Sequence, residues 1–341
     1  MADEQTARLA ATLERAIVEA AGAPAAVSGL RPLAGGASQE AWALDVTIAG
    51  GPWTGQYALV LRRDMGGALS SAVLPRDQEF AVLRAMHAAG VRAPRPYWFF
   101  PDLSGNGRAA FLMERLDGET IGRRLVQDPK LAEARARLPE QMAAELAKIH
   151  AVDPVAAGLA FLRAPAPGQS AASLTLDRLE ADLRAVDEPH PALELGLRWL
   201  RQHDSGLGPL VPIHGDFRLG NFIVGPEGLR AVLDWENAHL SDPHADLAWV
   251  CVRAWRFGKD DLTAGGITDR DTFFRAYERA SGQPVDRARA FYWEVMGNLQ
   301  WATGALGQAR RHLGGLEPSI ELASLGRIAA EMELELLNLI E

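Results

Sequence analysis

The sequence predicts an α+β protein of two lobes: a small N-terminal lobe built on an antiparallel sheet and a larger, mainly helical C-terminal lobe. Three observations predict it. Strand-like stretches at 27–33, 41–48 and 56–63 follow one another across short Gly-rich turns. Beyond Asp117-Gly118 strands become scarce and long helical patterns take over. The charge changes at the same place: residues 1–115 carry 11 acids and 11 arginines, whereas the rest carries 33 acids against 24 bases, the whole excess behind the net charge of −9. The expected lobes are 1–115 and 116–341.

The elements follow in order. Leu9, Leu13, Ile17 and Val18 recur at helical spacing, so 3–21 is expected to form an amphipathic helix. The three strands come next, with turns at 35–38 and at Gly50-Gly51-Pro52. A helix is expected over 75–89, with Phe80, Leu83 and Met86 on one face and Gly90 as its stop. Strands at 97–100 and 109–116 complete the lobe. Helices are then expected over 139–152, 173–185, 191–202, 243–257, 271–281, 286–313 and 318–340. Short strands at 210–211, 221–224 and 229–233 interrupt them, and Pro212 limits the first to an edge, because it has no N–H for a ladder. A Gly-, Asp- and Asn-rich β insertion in a helical lobe is where chemistry is expected.

Composition excludes several classes. With 341 residues, 48% hydrophobic and 23% charged, the chain is neither disordered nor collagen-like and has enough mass for a sizeable core. No apolar run approaches the roughly 20 residues that cross a bilayer, and acids and arginines occupy the first 22 positions, so a cytoplasmic protein without a membrane partner is expected. Cys251 is the single cysteine, which excludes an internal disulfide and a zinc knuckle. The acidic balance argues against a nucleic-acid partner. Only three lysines exist, at 130, 148 and 259, so the N-terminal lobe has none.

The chemistry centres on His214-Gly215-Asp216-Phe217-Arg218-Leu219-Gly220-Asn221, with Asp234-Trp235-Glu236 beginning thirteen residues after Asn221. Phosphoryl transfer to a hydroxyl needs a carboxylate to orient the hydroxyl and accept its proton, and oxygen ligands for a cation on the phosphates. An Asp, an Asn five residues on and an Asp beyond a short hairpin supply that set. These residues match the kinase-like pattern H-x-D-x-x-x-x-N followed by a metal-binding Asp. With Asp242-Pro243-His244-Ala245-Asp246 they resemble the aminoglycoside phosphotransferase and choline kinase family, of protein-kinase-like fold. The branch resembled most is the kinase-like domain attached to some acyl-CoA dehydrogenases.

The resemblance implies Asp216 as catalytic base, Asn221 and Asp234 as Mg²⁺ ligands, and Arg218 in the place of a lysine that stabilises the γ-phosphate. Asp246 resembles an aspartate that receives backbone donors of the catalytic loop; its other reading is a helix cap. His214 reads as a loop-packing residue.

In the N-terminal lobe, Gly35, Gly36 and Ser38 lie where a phosphate-covering loop belongs, although an ordinary hairpin turn has the same composition. The pattern next requires a strand cation held by a glutamate of the following helix. Arginine replaces lysine here: alternation puts Val60 and Arg62 on one face, so Arg62 is expected to grip phosphate oxygens and pair with Glu79, with Arg63 as the other choice. Glu114 and Leu116 occupy the segment between lobes, whose backbone the resemblance implies as the place that receives the adenine.

The expected protein is therefore an ATP- and Mg²⁺-dependent small-molecule kinase, with GTP open as donor and a small-molecule hydroxyl as acceptor. It is expected as a monomer or homodimer. The alternatives are a nucleotide-binding pseudokinase and a metal phosphohydrolase. The tryptophans at 199, 249, 255, 293 and 301 are expected mostly in the core.

Overall fold

Leu9, Leu13 and Ile17 do share one buried face, on helix α1 (Ala2–Ala21), and that face packs on a five-stranded sheet. The computed structural model describes residues 2–33, 40–64, 73–105, 107–204 and 206–341. They divide into two units: the first gathers 1–118, 155–161 and 230–238, and the second holds the remainder.

In the first unit, strands β1 (Ala25–Pro32), β2 (Glu40–Ile48) and β3 (Gly55–Arg63) form an antiparallel meander. Helix α2 (Arg76–Ala88) follows, then β4 (Pro96–Phe100) and β5 (Ala110–Glu114). The sheet order is β1-β2-β3-β5-β4, so β3 lies at its centre. Register sets Arg62 of β3 opposite Ala41 on one side and Phe111 on the other. Leu44, Leu59, Leu61 and Leu112 point into the core under α1. On the opposite face Phe80 of α2 packs on Phe111, ring centres 5.5 Å apart. A two-residue period thus sends Leu59 and Leu61 one way and Arg62 the other.

The second unit is helical: α3 (Gly122–Gln127), α4 (Ala132–His150), α5 (Ala171–Val186) and α6 (Pro191–Gln202) precede the β insertion. Strand β6 (Val211–Ile213) leads to β7 (Phe222–Gly225) and β8 (Gly228–Val232), within which the chain returns to the first unit. Strand β9 (His239–Ser241) pairs antiparallel with β6. Helices α7 (Pro243–Trp249), α8 (Arg270–Ser281), α9 (Arg287–Leu313) and α10 (Ile320–Ile340) complete it. The core joins α5, α6, α9 and α10 through Leu179, Leu183, Leu197, Met296, Leu299 and Leu336.

Two helices depart from expectation. Helix α4 begins seven residues before Pro139, because Ala134, Leu138 and Met142 already fall on its buried face. Helix α7 stops at Trp249 instead of running to 257. Val252 is extended, Phe257 is left-handed, and the freed carbonyls find other donors: Gly265 N–H binds Val250 at 2.9 Å and the buried Arg256 guanidinium binds Cys251 at 2.9 Å. Among the described residues no helix is long and apolar enough to cross a membrane.

Candidate active site

Strand β6 ends at Ile213, and the loop beyond it is held from beneath by one carboxylate. Asp246 of α7 accepts the backbone N–H of His214 at 2.7 Å and of Gly215 at 2.9 Å, and its side chain is fully buried. Burial pushes an acid up, but here it is outweighed by the hydrogen bond and charge of His150 and by the His214 contacts, so Asp246 lies below the usual carboxylate range. His150 is itself braced at 2.8 Å by the Tyr277 hydroxyl. The Asp216 N–H donates to His214 Nδ1 at 3.2 Å, and the buried His214 ring packs against Phe217. Helix-capping at this turn is done instead by Asp242, which accepts the His244 N–H at 2.9 Å.

The loop presents Asp216 with its oxygens engaged by three side chains. Arg218 Nε lies 3.0 Å from Oδ1, Trp249 Nε1 donates to Oδ1 at 2.8 Å, and Asn221 Nδ2 donates to Oδ2 at 2.7 Å. These bonds fix the plane of the carboxylate. The Arg218 guanidinium stacks 4.5 Å above Trp255, so the loop structure holds it against Asp216. Gly220 makes this possible, since a Cβ there would overlap the guanidinium. Asn221 also donates to the Asp216 carbonyl at 2.9 Å; both amide bonds use Nδ2, which leaves Oδ1 available as a cation ligand.

The first unit carries a separate ion cluster. Arg62 is buried and pairs with Glu79 of α2 at 3.2 Å and with Asp234. Burial opposes its charge, but Glu79, Asp234 and Glu236 together raise its pKa above the ordinary arginine value. Arg76, at the start of α2, holds the other Glu79 oxygen and binds Asp64 at 2.8 Å. Glu236 lies 3.9 Å from Arg62 and 3.7 Å from Arg76, and burial with the charge of Glu79 pushes it up to about 7. Asp234 is 41% exposed at its side chain and has left-handed backbone, φ 62°, which turns it out of the strand direction of β8. Arg63 points away and pairs with Glu40 at 3.0 Å.

The expected residues thus fall into two groups, Asp216, Arg218 and Asn221 in the second unit and Arg62, Glu79 and Asp234 in the first. Gly35, Gly36 and Ser38 lie outside the described residues. Glu114 closes β5, where its N–H donates to the Arg95 carbonyl at 2.8 Å, and Leu116 follows it outside the ladder. Among the described residues no group of three or more His, Cys, Asp or Glu could hold a metal. A Mg²⁺ ion carried on nucleotide phosphates needs only one or two protein oxygens. In the first unit the half-exposed Asp234 carboxylate fits that chemistry, and so, in the second, does the Asn221 amide oxygen, each taken by itself.

Sequence reasoning missed Arg76, Trp249 as a partner of Asp216, and the His150–Tyr277 brace. Arg76 had a signal, its i,i+3 spacing to Glu79. Trp249 and His150 had none beyond composition, because their roles depend on tertiary contacts.

Known proteins show the same organisation. The sequence profile of the phosphotransferase enzyme family matches residues 29–292. Acyl-CoA dehydrogenase family member 10 of Mus musculus is 28% identical over 80% of this chain, and family member 11 of Gallus gallus is 30% identical over 83%. The matched regions are 26% and 38% of those proteins, so the chain spans well under half the length of the curated relatives. A solved structure from Ralstonia eutropha, proposed to be an aminoglycoside phosphotransferase, superposes with TM-score 0.75 at 23% identity, covering 97% of both chains. A choline/ethanolamine kinase family protein of Mesorhizobium loti gives 0.62 at 20% identity, covering 100% of this chain and 95% of that one. The fold is two-lobed, α+β and protein-kinase-like, and with three quarters of its length inside the family profile the chain belongs to the phosphotransferase enzyme family.

Proposed function

We propose that the protein transfers the γ-phosphoryl group of ATP to a hydroxyl of a small molecule. The observation that carries this reading is the Asp216 carboxylate, fixed by Trp249, Asn221 and Arg218 on a loop anchored by Asp246. A carboxylate held in one orientation aligns an acceptor hydroxyl and takes its proton as the oxygen attacks phosphorus. The new O–P bond forms while the bond to the β-phosphate oxygen breaks, and ADP leaves. In the first unit, Arg62 has the reach and the planar donors to bind phosphate oxygens, and Glu79 holds it in place. Asp234 and Asn221 would hold Mg²⁺, which when bound neutralises charge on the phosphates. Backbone groups of Glu114 and Leu116 would receive the base, and Gly35, Gly36 and Ser38 would cover the phosphates.

The replacement of lysine by Arg62 is the only feature that favours a nucleotide-binding module without transfer. The intact Asp216, Asn221 and Asp234 set, and the Arg62–Glu79 pair, favour catalysis. The test is an acceptor screen that follows ADP release from ATP and from GTP across aminoglycosides, macrolides, choline, sugars and hydroxyacyl thioesters. Acceptor-dependent ADP release supports transfer. Nucleotide binding with no product from any acceptor supports the binding module.

A further inference from the structure

The second unit contains a pair of arginines that the proposed chemistry does not use. Arg163 precedes α5 and Arg178 lies on it, and both are partly buried. Neither guanidinium forms an ion pair or hydrogen bond with a protein group among the described residues. The carboxylates nearest in sequence are already committed: Asp177 and Glu180 bind Arg201 at 2.7 and 3.0 Å, and Asp182 attracts Arg178 only from beyond ion-pair distance. Burial and the neighbouring Arg163 charge lower the pKa of Arg178, and the more distant Asp182 offsets them only in part.

The two arginines line one small cavity of about 40 Å³ together with Thr175, His239 and Ser241. A second cavity, about 30 Å³, shares Thr175, Arg178, His239 and Ser241 with it and extends to Gly215 of the catalytic loop and to Trp249. Trp249 is the residue that hydrogen-bonds Asp216. Trp293 lines the same cavity, and its buried indole N–H has no acceptor among the described residues. Asp246 is the acid in this lining, and its oxygens are turned to the loop amides and His150. The two cavities share a wall, so their linings lead from the two guanidinium groups, neither of them in an ion pair among the described residues, to Gly215 of the loop that carries Asp216.

We propose that Arg163 and Arg178 form an oxyanion subsite of the acceptor pocket, so that the preferred acceptor carries a carboxylate or phosphate group in addition to the hydroxyl. This deepens the phosphotransfer reading and rests on it for the word acceptor. Planar guanidinium groups bind both oxyanions by paired N–H donors, and partial burial strengthens the bond relative to water. A cationic acceptor would meet repulsion at the same place. Losing one charge-assisted bond of this kind corresponds to roughly ten- to a hundredfold in affinity.

The experiment has a binding arm and a turnover arm. With the nucleotide site saturated by Mg²⁺ and a non-hydrolysable ATP analogue, inorganic phosphate and acetate are titrated by calorimetry into wild type, Arg163→Gln, Arg178→Gln and Arg178→Lys. The expected result is saturable binding to wild type, weakened at least tenfold in both glutamine variants and largely restored in Arg178→Lys. The turnover arm compares hydroxy carboxylates with their methyl esters, and hydroxyalkyl phosphates with the matching diols. It expects KM to be at least tenfold lower for one anionic series, which tells carboxylate from phosphate, and that advantage to vanish in Arg178→Gln. Anion binding equal in wild type and both glutamine variants, no binding to wild type, or a preference for neutral or cationic acceptors overturns the subsite. Anion binding that depends on both arginines, with no transfer to any acceptor, upholds the subsite and removes the phosphotransfer reading instead.

Discussion

Arg62 and Arg76 both touch Glu79, yet their surroundings differ. Arg76 is almost wholly enclosed and bridges Glu79 to Asp64, whereas Arg62 also reaches the half-exposed Asp234. Removing Arg76 leaves Glu79 with Arg62 alone, takes the partner from Asp64 and empties the more deeply buried of the two sites, at a cost of about 3–5 kcal/mol. Removing Arg62 leaves Glu79 still paired with Arg76. Denaturant unfolding should therefore show a larger loss for Arg76→Ala than for Arg62→Ala, while nucleotide titration should show at least a tenfold weaker affinity for Arg62→Ala. Trp249 offers a second residue-scale test. Its N–H bond to Asp216 is charge-assisted and worth about 1.5–3 kcal/mol, so Trp249→Phe should lower kcat by roughly ten- to a hundredfold in steady-state assays. The sequence pattern singled out Asp216, Asn221 and Asp234 by their spacing, and the structure joins Asn221 to Asp216 and Asp234 to Arg62. The pattern could not reveal Trp249, the last residue of α7, which meets Asp216 through a contact made only in the folded chain.

At the scale of elements, α7 and α9 carry buried acids that titrate in opposite directions. Asp246 on α7 is held below its usual range, so its contribution to stability is present above about pH 4 and is lost as pH falls through its folded value. Glu294 on α9 is pushed up to about 7 by burial, against Arg270 and Arg256. A raised acid contributes stability below its unfolded value, and that contribution is lost as pH rises through about 7. Denaturation midpoints measured from about pH 5 to pH 8 should thus decline less steeply in Glu294→Gln than in wild type, and Asp246→Asn should be less sensitive to acid. The elements were largely legible in the sequence. Two-residue alternation located β2 and β3, and 3.6-residue spacing located α1, α6 and α9, because each buries one regular face. The early stop of α7 was not legible, since Arg256 and Gly265 arrive at its last carbonyls from later in the chain.

For the molecule as a whole, the acidic excess lies beyond residue 115. Many of its acids are paired on helix surfaces, as Glu140 is with Arg279, whereas Arg163 and Arg178, which line the cavities near Gly215, form no ion pair among the described residues. Net charge therefore describes a surface and leaves the pocket to be read residue by residue. Binding of Mg²⁺ and ATP to the native state should stabilise it by about 2.7 kcal/mol at a hundredfold excess over Kd. Asp234→Asn should reduce that thermal shift strongly, and magnesium alone should produce none. The central claim is that Asp216 takes the proton of an attacking hydroxyl. Its most direct test is phosphorus NMR of ATP, magnesium and the acceptor found by screening, comparing wild type with Asp216→Asn at matched nucleotide occupancy. The account predicts one phosphorylated acceptor for each ADP with wild type, and a rate lower by about 10²–10⁴-fold with the variant. Equal rates of transfer in the two proteins would contradict it.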